Sequence, residues 1–113
     1  MLSDPQLHYL DNAATTQVDP AVTEAIHDAL VELWANPSSL YDPAVAAQDG
    51  IETARARIAK TLHCRKDEVY FTACGSESNN MSVWGAAKAR RHWGNKIVVT
   101  GFEHPSVQLP IRA

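Results

Sequence analysis

Three short segments of this 113-residue chain carry residue types able to bind a small molecule. The first is Phe71-Thr72-Ala73-Cys74-Gly75-Ser76-Glu77-Ser78-Asn79-Asn80. A β-prone run ends there, small residues turn the chain, and a helical pattern opens with Ser76. The first turn of a helix has N–H groups without intrahelical partners and the positive end of the helix dipole, so it suits a phosphate. Gly75 permits close backbone approach, and Ser76 adds a hydroxyl donor. Serine also caps helices well, so on these residues alone phosphate binding and plain capping both stand. The second segment is Gly101-Phe102-Glu103-His104-Pro105-Ser106. The imidazole of His104 can stack on a flat ring or move a proton; the other reading is a surface histidine before a proline. The third is Tyr9-Leu10-Asp11-Asn12-Ala13-Ala14-Thr15-Thr16. Its small residues allow close approach and its Asn and Thr offer hydrogen bonds, although a turn with local side-chain caps needs the same residues.

The remaining reactive residues exclude more than they suggest. Cys64 and Cys74 are too few for a disulfide framework and lack C-x-x-C spacing, so two reduced thiols are expected. His8, His27, His63, His92 and His104 form no H-E-x-x-H and no i, i+4 pair, so no metal site is expected. A net charge of -3 offers no footprint for nucleic acid. No apolar run reaches the ~18 residues of a membrane span. The start Met1-Leu2-Ser3-Asp4-Pro5 lacks the basic and apolar parts of a secretory signal, which makes the cytoplasm the expected location. With 45% hydrophobic and 20% charged residues the chain reads as globular rather than disordered.

The elements that must position these segments follow from start signals and periodicity. Residues 8–10 read as a short extended lead-in. Asp19-Pro20 is a helix start, Asp as cap and Pro at the first helical position, and Val22, Ala25, Ile26, Ala29, Leu30 and Leu33 continue it at helical spacing. A helix over 20–34 is expected. Asn36-Pro37-Ser38-Ser39 is a turn. Asp42-Pro43 repeats the start signal for a helix over about 43–63, which Gly50 weakens by about 1 kcal/mol relative to Ala. Glu68-Val69-Tyr70-Phe71-Thr72 and Lys96-Ile97-Val98-Val99-Thr100 read as strands. Between them Asn80, Val83, Trp84 and Ala87 have helical spacing, with Lys88, Arg90 and Arg91 in the last turn and Gly94 as C-cap. A last helix begins near Pro105. Strand, helix, strand is a right-handed βαβ unit with parallel strands, and the unbroken apolar run Ile97-Val98-Val99 suits a strand covered on both faces. The fold class expected is therefore α/β: an N-terminal helical segment, residues 1–42, followed by a βαβ portion of a parallel sheet, residues 43–113. That portion is incomplete, since two parallel strands do not make a layered sheet. Ligands in open α/β sheets bind beyond the C-terminal ends of the strands, which would place Gly75-Ser76 and His104 at one edge.

Taken together, four motifs carry a family resemblance. Leu10-Asp11-Asn12-Ala13-Ala14-Thr15-Thr16, Asn36-Pro37-Ser38-Ser39, Gly75-Ser76-Glu77-Ser78-Asn79-Asn80 and Glu103-His104-Pro105 stand in the order and spacing of cysteine desulfurases, and the resemblance covers nearly the whole chain. These enzymes are class V aminotransferase-family proteins with the fold type I architecture of pyridoxal 5'-phosphate (PLP) enzymes. The resemblance implies a three-layer α/β/α PLP-binding large domain beginning at about residue 43. It implies that Gly75 and Ser76 hold the PLP phosphate, with serine where the family usually has threonine. It implies that His104 stacks on the pyridine ring and assists proton transfer as the catalytic residue. The loop from Asn12 to Thr15 matches a segment near the substrate entrance, and Asn36 to Ser39 a structural turn. Tyr41 stands where the family commonly has histidine and Ala44 where it has glycine, departures that bear on the subgroup.

The implied activity of the complete enzyme is conversion of L-cysteine to L-alanine, with persulfide sulfur passed to a protein acceptor or scaffold for iron–sulfur clusters or thiolated cofactors. A homodimer is implied as well. The family's cofactor-bonded lysine, the aspartate that pairs with the pyridine nitrogen and the persulfide-carrying cysteine match none of Lys60, Lys66, Lys88, Lys96, Cys64 or Cys74. The 113 residues alone are expected to be inactive. The alternatives are a selenocysteine lyase or aminotransferase of the same family, or a non-catalytic interaction module with an exposed apolar Ile97–Val99 segment.

Overall fold

The structure, a computed structural model, describes Gln6 and residues 8–112. The start Met1–Pro5, read above for a secretory signal, and the chain end at Ala113 lie outside the described residues. Two compact units divide at Val69/Tyr70.

The first unit contains α1 (Pro20–Glu32) and α2 (Asp42–Thr61), followed by a single 3-10 turn at Lys66–Glu68. Helix α1 starts where its local chemistry places it: the Asp19 carboxylate accepts from Ala21 N–H at 2.8 Å, and Pro20 occupies the first position without losing a hydrogen bond. Its last helical residue is Glu32, two short of the expected 34, and Leu33 is the C-cap. Asn36 then folds the Asn-Pro-Ser-Ser turn, its side chain accepting from Ser38 N–H at 3.0 Å and its carbonyl from Ser39 N–H at 3.1 Å. The second start signal works differently. Tyr41 is the cap residue and makes no side-chain cap bond, while Asp42 sits inside the first turn, where a negative charge suits the dipole. Gly50 has a packing role: a Cβ there would lie 2.8 Å from Leu33 Cδ1, so the missing side chain lets Leu33 approach α2.

Helix α2 stops in a left-handed turn. His63 has φ 53°, its N–H bonds to the Lys60 carbonyl at 3.3 Å, and the Cys64 N–H bonds to the Ala59 carbonyl at 3.0 Å. This is the paired closure usually built on glycine. Arg55 then ties the chain after the helix back to it. Its Nε donates to Glu52 at 3.0 Å and its Nη1 to the Val69 carbonyl, while Lys66 Nζ lies 3.6 Å from Glu52. The hydrogen bond from Arg55, helped by the Arg55 and Lys66 charges and opposed by desolvation, holds the Glu52 carboxyl below its usual range.

The second unit contains α3 (Gly75–Arg90) and α4 (Pro105–Arg112), which pack against each other. Among the described residues there is no strand, and the expected βαβ portion of a parallel sheet is overturned. Glu68 belongs to the 3-10 turn, and neither 69–72 nor 96–100 enters a hydrogen-bonded ladder. The reason is physical. β-propensity reflects how well a side chain fits a half-buried pleated surface with cross-strand neighbours, and here neither segment has one. Val98 is 98% exposed, the opposite of a strand covered on both faces. Gly94 also does not close α3; the C-cap is Arg91, and no glycine has positive φ.

The buried hydrophobic residues among those described are Ala35, Ala44, Ala47 and Ala59. Each removes little more than a methyl from water, ~0.8 kcal/mol apiece. Large apolar side chains such as Leu10, Leu40, Trp93 and Phe102 are exposed. No helix among the described residues is long and apolar enough to cross a membrane.

Candidate functional site at the start of helix α3

Two hydroxyl-bearing side chains hold the loop that leads into α3. Thr72 Oγ1 donates its one proton to the Cys74 carbonyl at 3.2 Å, so at 2.6 Å it accepts from Ser78 Oγ. From inside the first turn, Glu77 reaches back to accept from Ala73 N–H at 2.7 Å. Cys74 is the cap residue and makes no side-chain cap bond. The helix therefore begins at Gly75 with the N–H groups of Gly75, Ser76 and Glu77 free of intrahelical acceptors, and the Ser76 hydroxyl has no partner among the described residues. A Cβ at Gly75 would meet nothing within 4 Å, so the backbone there is open to an approaching group.

The Gly101–Glu103 loop is held from the other side by Gln108, whose Nε2 donates to the Gly101 carbonyl at 3.2 Å and the Glu103 carbonyl at 2.9 Å. Thr100 Oγ1 donates to Glu103 Oε1 at 2.7 Å. His104 then caps α4. Its carbonyl accepts from Val107 and Gln108 N–H, and its Nδ1 accepts from Ser106 N–H at 3.2 Å. Pro105, with no N–H to satisfy, fits the first helical position.

Ser76 and His104 line the same cavity, of about 510 Å³, together with Asn80, Trp84, Pro105, Ser106, Leu109 and Pro110. A flat, drug-sized ligand needs roughly 300–1,000 Å³. The two segments meet as the sequence suggests, but α3 packed on α4 brings them together, not the edge of a sheet. One hydrogen bond crosses between the helices here, Asn79 Nδ2 to Ser106 Oγ at 2.8 Å. Gly75 stands next to Ser76 at the helix start and is not itself in the wall. Asn12–Thr15 lies in the other compact unit, as a turn in which Ala14 and Thr15 N–H both bond to the Asp11 carbonyl. Tyr41 and Ala44 are there too, at the start of α2, where Ala44 is fully buried.

Sequence reasoning missed Asn80, Trp84, Leu109 and Pro110. A signal for the first two was present: residues 76, 80 and 84 form an i, i+4, i+8 row along one face of α3. Val83 and Ala87, grouped with them by periodicity, face instead a more apolar cavity of about 830 Å³, which also takes in Ile97, Val99, Val107 and Ile111. That larger hollow contains none of the candidate site residues.

Among the described residues no group of three or more His, Cys, Asp or Glu is placed to hold a metal ion. Cys64 and Cys74 are free thiols, half-buried and exposed respectively. The cavity brings the Ser76 end of the open α3 start together with an imidazole and apolar walls. The donors suit a phosphate, and Trp84, Leu109 and Pro110 suit the faces of a flat ring. The Glu77 carboxylate in the first turn opposes an anion, and its engagement with Ala73 N–H offsets part of that repulsion.

Comparison with known proteins gives the chemistry a context. The aminotransferase class-V family profile matches residues 8–113. The chain is 39% identical over 99 residues to a NifS/IcsS protein homolog of Lactobacillus delbrueckii subsp. bulgaricus, covering 88% of this chain and 26% of that protein. It is 37% identical over 99 residues to the cysteine desulfurase IscS of Clostridium botulinum, covering 88% and 25%. A cysteine desulfurase IscS of Dictyoglomus turgidum is 41% identical over 102 residues, covering 90% and 26%. The chain thus spans about a quarter of the length of these relatives.

Proposed function

The chain belongs to the aminotransferase class-V family, and from that premise we propose that its activity is that of a PLP-dependent cysteine desulfurase, with this chain anchoring the cofactor. The observation that carries the reading is the cavity shared by Ser76 and His104 at the open start of α3. Relatives with cysteine desulfurase in their names support the choice of L-cysteine as substrate and L-alanine as product, with sulfur passed to a protein acceptor or scaffold. A cytoplasmic homodimer belongs to the same reading, as does a PLP-binding domain that begins near residue 43.

Bound PLP supplies an electron sink for carbanion chemistry at an amino acid. The residues of this chain do the holding. The N–H groups of Gly75, Ser76 and Glu77 and the Ser76 hydroxyl receive the phosphate, each charge-assisted hydrogen bond contributing about 1.5–3 kcal/mol. The positive end of α3 adds about 0.3–1 kcal/mol. His104 would lie against the ring, and Trp84, Leu109 and Pro110 would offer it apolar contact.

The test is a titration of the chain with 4-deoxypyridoxine phosphate, which keeps ring and phosphate but lacks the aldehyde that reacts with surface lysines. Trp84 fluorescence is the signal and Trp84→Phe the control for Trp34 and Trp93. Saturable quenching is expected, at least tenfold weaker with the unphosphorylated ring compound and about tenfold weaker in Ser76→Ala. Equal affinity with and without the phosphate rules out the α3 anion site. A second reading, a non-catalytic interaction module, draws on the exposure of Ile97, Val98 and Val99. It predicts no binding of either probe and concentration-dependent association in sedimentation.

A further inference from the structure

His104 is held at one of its two ring nitrogens. Its Nδ1 lies 3.2 Å from Ser106 N, a backbone group that can only donate. Nδ1 is therefore an acceptor, and in the neutral ring the proton resides on Nε2. Ser106 Oγ stands 2.8 Å from the same Nδ1. It also receives Asn79 Nδ2 at 2.8 Å, which uses a lone pair on Oγ and leaves its proton for the ring. The order of donation is Asn79 amide to Ser106 hydroxyl to His104 Nδ1. No partner for Nε2 is present among the described residues, and His104 lines the cavity.

We propose that Ser106 and Asn79 are positioning residues that fix the tautomer and orientation of His104, making Nε2–H the hydrogen-bond donor that the ring presents to the cavity. The neutral ring then meets the occupant of the cavity as a donor, not as an acceptor. An occupant with an oxygen acceptor, a phenolate or carboxylate, fits that arrangement; one that must give its proton to the ring does not. The residues act from two helices, so the ring setting depends on α3 and α4 being packed. The role of Nε2 toward a ligand rests on the cofactor reading above. The tautomer does not, and it is measured on the chain without any ligand.

The experiment is long-range proton–nitrogen correlation NMR on the full chain labelled with ¹⁵N-histidine, in alkaline buffer. His8 is exposed, has no partner among the described residues, and serves as the reference imidazole. In the wild type, His104 should show an unprotonated Nδ1 and protonated Nε2, further from the averaged pattern than His8. Ser106→Ala should move the His104 Nδ1 resonance toward the His8 value, and Ser106→Thr, which keeps the hydroxyl, should restore it. Asn79→Leu leaves the α4 cap intact and should produce a smaller shift in the same direction, so the proposal stays testable if Ser106→Ala loosens α4. A His104 pattern matching His8 in the wild type, a protonated Nδ1, or no change in both Ser106→Ala and Asn79→Leu would overturn it. Failure of the phosphate probe to bind would overturn the cofactor reading and leave this result untouched.

Discussion

Replacing Gly75 by alanine separates what the fold requires from what a ligand requires. In the ligand-free chain a Cβ at residue 75 meets nothing within 4 Å, and its φ is not positive. Neither packing nor backbone conformation demands glycine there. Substitution should therefore stabilise the second unit by about 0.4–1 kcal/mol, because alanine restricts the unfolded chain at no native cost. Phosphate binding should respond in the opposite sense. The added methyl stands beside the first free N–H of α3, where a phosphate oxygen must approach. Losing one charge-assisted hydrogen bond costs about 1.5–3 kcal/mol, or roughly 10- to 100-fold in affinity. Urea unfolding followed by circular dichroism gives the first quantity, and titration with 4-deoxypyridoxine phosphate gives the second. Two results refute the reasoning. Marked destabilisation of the ligand-free Gly75→Ala chain would mean that the glycine serves the fold. Undiminished affinity in a stable variant would mean that the anion does not approach the backbone at the start of α3.

The first unit yields two further predictions. His63 carries φ 53° at the close of α2, a conformation that costs a side-chain-bearing residue about 1–2 kcal/mol. His63→Gly should raise stability by about 1 kcal/mol in urea unfolding, and a loss would show that the His63 side chain compensates for the strain. Glu52 has its carboxyl pKa depressed, first by the Arg55 hydrogen bond and then by the Arg55 and Lys66 charges. A depressed carboxylate contributes stability above its unfolded value and loses it as the pH falls through the folded one. The wild type should therefore weaken as pH drops below the ordinary 4.5, more steeply than Glu52→Gln, in thermal melts across that window. Parallel curves for the two proteins would mean that the Glu52–Arg55–Lys66 cluster does not couple to folding.

What could be read in the sequence divides along the range of the forces involved. The start of α1 was legible because Asp19 and Pro20 act within three residues of it. The start of α3, expected at Ser76 and found one residue earlier at Gly75, the turn at Asn36 and the cap at His104–Pro105 are local in the same sense. Glu68–Thr72 and Lys96–Thr100 differ from the strands expected there because a strand is a property of a pair, and apolar, β-branched residues state only that a pleated surface would suit them. The close of α2 was hidden because histidine at 63 occupies a position where glycine is the usual signal.

The candidate site lies on both sides of that division. Gly75, Ser76 and His104 announce themselves one segment at a time, yet what joins them is the packing of α3 on α4 and a bond between Asn79 and Ser106, 27 residues apart. Periodicity placed Asn80, Val83, Trp84 and Ala87 on one helix without saying that residues 80 and 84 face the small cavity while 83 and 87 face the larger one. On the proposed reading, recognition of an anion would thus depend on a local feature that survives in any context where α3 forms. Control of the imidazole depends on a nonlocal one that exists only while the two helices are docked. Loosening the α3–α4 contact should therefore impair the His104 end of the cavity before it impairs the phosphate end.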